Sequence, residues 1–82
     1  MYADINGTHY ALDGIITQGA VKLIFSDTPI EDVDALAVDM PDKLCIYSSG
    51  EMIYEFDGYT KAVELRKNPS NSQVLLTLER GD

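Results

Sequence analysis

The chain has 82 residues, 45% of them hydrophobic and 24% charged, with a net charge of −8. That length allows one domain over residues 1–82, and the composition is that of a globular protein rather than a disordered one. A single cysteine, Cys45, excludes an intramolecular disulfide, and with a single histidine, His9, it cannot supply a Cys/His zinc site.

The acidic balance disfavours direct binding to a phosphate backbone. No apolar run approaches the roughly 20 residues that span a bilayer, and the opening residues carry no basic, apolar leader. No membrane association, no cofactor and a reduced cytoplasmic setting are the expectations. The carboxylates are unevenly spread. Between Asp27 and Asp42 stand Asp27, Glu31, Asp32, Asp34, Asp39 and Asp42 with no basic residue among them.

In chain order, 2–5 and 8–12 flank Asn6-Gly7 and read as a hairpin, because a type I′ turn needs positive φ at both central residues. Asn6-Gly7-Thr8 also matches a glycosylation sequon, but without a secretory leader the turn is the preferred reading. Ile15-Ile16-Thr17 and then Val21–Phe25 continue the strand character, interrupted at Gly19. In the second run Val21, Leu23 and Phe25 share one face. Ile24, on the other face with Lys22, implies that this side is partly covered too.

The one helix is expected to start at Thr28-Pro29-Ile30-Glu31. A threonine cap, a proline at the first position and a glutamate three residues after the cap form a capping box. Ile30, Val33, Ala37 and Met40, flanked by Leu36, make the stripe that faces the sheet, and Pro41 stops the helix. Lys43–Tyr47, Glu51–Phe56, Thr60–Lys67 and Gln73–Arg80 follow as a meander of strands joined by short turns. The expected fold is α+β, a mostly antiparallel sheet of six to seven strands with one helix packed on a face.

Candidate chemistry is sparse. His9 lies opposite Asp4 across the hairpin, but no nucleophile turn accompanies it, so an exposed strand histidine is the plainer reading. Cys45, between Leu44 and Ile46, reads as a small buried hydrophobe. Asp32-Val33-Asp34 gives one alternating pair of a calcium loop but lacks the glycine and the terminal glutamate, and no metal site is expected. Two surfaces remain. Glu31, Asp32, Asp34 and Asp39 form an acidic strip that is either a solvated helix face or an imitation of nucleic-acid phosphates. Tyr47, Tyr54 and Tyr59 form an aromatic group in the meander, suited either to core packing or to edge-strand contact with a partner.

Leu44-Cys-Ile-Tyr-Ser-Ser-Gly50, Met52-Ile-Tyr-Glu-Phe-Asp-Gly58 and Tyr59-Thr60 before Val63-Glu-Leu65 give an outline of strand, glycine turn, strand and Gly-Tyr-Thr step. With the early Asn-Gly-x-x-Tyr hairpin and the acidic helix after Phe-Ser-Asp, it resembles small prophage-encoded proteins of Gram-positive bacteria, encoded near the tail genes of long-tailed phages. The resemblance implies a virion or tail-assembly role without enzymatic activity, exercised by docking to a phage tail protein or as a homo-oligomer. The competing expectation is a small inhibitor of a host defence protein, working through the acidic strip.

Overall fold

The structure, a computed structural model, describes residues 1–38, 43–57, 60–68 and 73–80. Its elements are β1 (Tyr2–Ile5), β2 (Thr8–Ile16), β3 (Val21–Phe25), α1 (Ile30–Val38), β4 (Lys43–Ser48), β5 (Glu51–Asp57), β6 (Thr60–Lys67) and β7 (Val74–Arg80). They build a seven-stranded sheet in the order β5-β4-β1-β2-β3-β7-β6, with every adjacent pair antiparallel.

Local chemistry sets the hairpins. Asn6 and Gly7 have φ of 54° and 82°, and Ser49 and Gly50 have 54° and 81°. Both pairs hold the left-handed geometry of a tight turn whose twist matches the strands it joins. The Gly7 N–H donates to Asp4 Oδ1 at 3.1 Å, fixing the first turn further.

β2 is one nine-residue strand rather than two short ones. A register shift between Leu12 and Gly14 divides it. Its first half, through Ala11, pairs with β1, and its second half, from Leu12, pairs with β3. Such a bulge bends the strand and increases local twist. The sheet curls accordingly. Phe56 of β5 and Leu78 of β7 line one cleft although four strands separate them in the sheet order.

The second half is not a meander of four neighbours. The β4–β5 hairpin adds to the free edge of β1, and the β6–β7 hairpin adds to the free edge of β3. A β5–β6 ladder would leave the backbone donors and acceptors of β1 and β3 unpaired over an apolar interior. The observed order pairs both and turns all the apolar faces onto one core. That core holds Ala3, Ile5, Leu12, Val21, Leu23, Phe25, Val33, Leu44, Ile46, Phe56, Val74, Leu76 and Leu78. The alternation at Val21, Leu23 and Phe25 is as the sequence predicts, and Tyr10 meets Phe25 edge-on at 6.0 Å.

On α1, Val33 is buried and Ile30, Leu36 and Ala37 pack against the core. Met40 and Pro41 lie outside the described residues. The start of the helix differs from expectation. The Pro29 carbonyl accepts from the N–H groups of Asp32 and Val33, at 3.0 and 3.2 Å, while Thr28 Oγ1 donates to the Ser26 carbonyl at 3.2 Å. The threonine hydroxyl bonds into the turn before the helix, and no hydrogen bond joins it to the Glu31 N–H as a capping box would require.

The core makes a graded prediction. Phe25→Ala removes a fully buried ring and should cost about 3–5 kcal/mol, a large share of the roughly 5–15 kcal/mol that stabilises a domain. Ile46→Val should cost about 0.5–1.5 kcal/mol, and Val38→Ala, at an exposed site, no more than about 0.5 kcal/mol. Urea unfolding of the three variants checks the order.

Candidate functional site

The outward face of β2, β1, β4 and β5 carries two cross-strand rows. Tyr2 pairs with Ala11 on one side and Tyr47 on the other, and Tyr47 pairs with Met52. One step along, Asp4 pairs with His9 and Cys45, and Cys45 pairs with Glu55. Opposed residues share a face, so these side chains point away from Ala3, Ile5, Leu44 and Ile46.

The rows make contact through aromatic stacking. The Tyr2 ring stacks on His9 at 4.5 Å and 30°, and on Tyr47 at 5.1 Å and 15°. His9 Nε2 lies 3.9 Å from Asp4 Oδ2, and its side chain is 59% exposed. Glu55 Oε2 lies 3.2 Å from Lys43 Nζ and accepts from the Cys45 thiol at 3.9 Å. Cys45 is therefore half-buried on the outer face and not a core hydrophobe. The period-2 rule sends it opposite to Leu44 and Ile46.

The Tyr47 phenol is pushed above its ordinary pKa of 10.0, chiefly by its electrostatic interaction with Cys45, with desolvation, Asp4 and Tyr2 adding. A phenolate here would stand among other anions, so the neutral ring with its O–H donor is the favoured form. The arrangement can therefore offer stacked aromatic area bordered by hydrogen-bonding groups, the combination that suits a protein contact.

Of the two surfaces read from the sequence, the acidic one lies partly among the described residues. Glu31, Asp32 and Asp34 are all exposed on α1, Asp34 bordering the groove beside β6, and Asp39 lies outside the described residues. The aromatic group is not one surface. Tyr54 pairs with Ile46 and faces inward, packing against the core and lining a cleft of about 380 Å³ with Phe56, whereas Tyr47 faces outward. Tyr59 lies outside the described residues.

Tyr2 is the member that sequence reasoning missed, and it stacks on His9, read there as an exposed strand histidine. The Asn6-Gly7 turn fixes Asp4 opposite His9 and so puts His9 diagonal to Tyr2, which was a legible signal. The arrival of Tyr47 beside Tyr2 was not legible, because it depends on β4 choosing β1. Among the described residues no group of three His, Cys, Asp or Glu side chains could hold a metal ion, and no helix is long and apolar enough to cross a membrane. No family model, curated protein or solved structure matches the chain.

The raised Tyr47 pKa has a sign that can be measured. Cys45→Ser should move one tyrosine titration, followed by ultraviolet absorbance, down towards 10.0, and Tyr47→Phe should remove that titration. Because the folded chain holds this proton more tightly than the unfolded one, the Tyr47 contribution to stability should fall as pH rises past the ordinary tyrosine range.

Proposed function

We propose that this chain is a non-enzymatic, phage-type protein that acts by docking to other proteins, as a tail-associated structural or assembly component. The observation that supports docking is the Tyr2–His9–Tyr47 stack on the outer face, extended towards the sheet edge by Met52 and Ile53, which are 51% and 48% exposed. Stacked tyrosines contribute large rigid area at low entropic cost, and contacts of that kind dominate protein interfaces. The assignment to a phage tail rests on the resemblance of Leu44–Gly50, Met52–Gly58 and Tyr59-Thr60 to small prophage proteins. On this reading the chain is made in the bacterial host cytoplasm and ends in the virion. α1 covers the inner face near β6 and β7 and presents its acidic side to solvent.

The exposure of Glu31, Asp32 and Asp34 favours a second reading, an acidic inhibitor that occupies the basic groove of a host defence protein. The two differ in salt dependence. Contacts through exposed charges weaken steeply as salt rises, whereas aromatic contacts do not.

The test is a pull-down with the tagged chain from prophage-induced host lysate, eluted stepwise with salt and read by mass spectrometry. The tail reading predicts tail proteins retained at high salt, lost by about tenfold or more in a Tyr2→Ala/Tyr47→Ala variant, and kept when Glu31, Asp32 and Asp34 are changed to Lys. The inhibitor reading predicts a basic host protein lost at moderate salt and abolished by the charge reversal. Binding unchanged in both variants would overturn both readings.

A further inference from the structure

We infer that the two outer strands of the sheet are complementary, and that the β5 edge of one copy adds to the β6 edge of the next. This deepens the docking reading and rests on it, naming a second copy of the chain as the partner of the sheet edges.

Among the described residues, β5 and β6 end the sheet, each with a strand on one side only. An outer strand offers a row of backbone N–H and C=O groups that another strand can pair with. Natural sheets often blunt such edges with charged side chains, lysine above all. Here the two edges carry opposite signs around matching apolar centres. In β5, half-exposed Ile53 lies between exposed Glu51 and Glu55. In β6, Val63, 44% exposed, lies between exposed Lys61 and the Arg66-Lys67 pair.

Both apolar centres sit at irregularities of their ladders. The β4–β5 register shifts where Ile53 is the extra residue, and the β6–β7 register shifts where Val63 is. Setting Ile53 beside Val63 brings the acids of one strand towards the bases of the other in either strand direction. Two carboxylates then face three cations; the opposing charges nearby are Lys43, 3.2 Å from Glu55, Glu79, opposite Lys61 in the ladder, Glu64, 4.0 Å from Arg66, and Asp34 on the helix.

A shallow groove of about 310 Å³ runs between α1 and β6, with Val38 and Asp34 on the helix side and Ala62, Val63 and Leu65 on the strand side. Val38 is 84% exposed. Met52 and Ile53 of an incoming β5 supply the apolar side chains to cover it. Joining unlike edges is a head-to-tail contact, which closes into a ring or continues as a filament.

Sedimentation velocity of the full chain over a concentration series, at low and high salt, tests the inference. The chain should self-associate, more strongly at low salt. A Glu51→Lys/Glu55→Lys variant and a Lys61→Glu/Arg66→Glu/Lys67→Glu variant should each remain monomeric, with association weakened about a hundredfold. Mixing the two variants should restore association, because each keeps the edge that the other lacks, and a folding defect could not produce that rescue. A chain monomeric at every concentration would overturn the inference, as would loss of association in one variant only, which marks a like-with-like contact. Neither result touches tail-protein binding through Tyr2 and Tyr47, so docking to another protein stands or falls separately.

Discussion

One strand serving two ladders is the constraint on which the rest of this structure depends. β2 gives its first half to β1 and its second half to β3, and the shift between Leu12 and Gly14 lets it turn between them. A flat sheet of seven strands has two faces to cover, and an 82-residue chain with one helix among its described residues cannot cover both. Curling the sheet solves this by making one face the interior. Residues from β1, β2, β3, β4, β5 and β7 then meet in one cluster, and α1 supplies Val33 to the same cluster.

The curl also decides what the surface can do. Turning Leu44 and Ile46 inward leaves Cys45 and Tyr47 outward, and the choice of β1 as their neighbour brings Tyr2 against Tyr47. The aromatic stack is thus a by-product of core formation at neighbouring positions. Its electrostatics follow from the same register, since Asp4, Cys45 and Glu55 fall in one row. The segregation of charge has a similar origin. The acidic residues of α1 are exposed, Asp34 bordering the groove beside β6, while Lys61, Arg66 and Lys67 stand on an outer strand.

The order of strands matters as much as their number. β5 and β6 are consecutive in the chain, yet they become the two ends of the sheet. Had they paired, the outer strands would have been others, and the charges of Glu51, Glu55, Lys61 and Arg66 would have faced each other within one molecule. Their separation is what leaves an acidic and a basic edge on the same domain.

By itself the sequence determined what short-range physics can specify. Asn6-Gly7 and Ser49-Gly50 dictated tight turns because few residues tolerate positive φ, and they are found there. Alternation identified Val21, Leu23 and Phe25 as one buried face, and helical spacing identified Ile30, Val33 and Ala37. Glu31, Asp32 and Asp34 were legible as an exposed strip for the same reason. Tertiary structure decided the rest. Turn residues fix which strands are hairpins but not which edge each hairpin joins, since that choice depends on burying several apolar faces together. For that reason the meander did not form, Tyr47 and Tyr54 parted to opposite faces, and Cys45 left the core. Even the Thr28 hydroxyl, local as it is, bonds to the Ser26 carbonyl rather than to the Glu31 N–H.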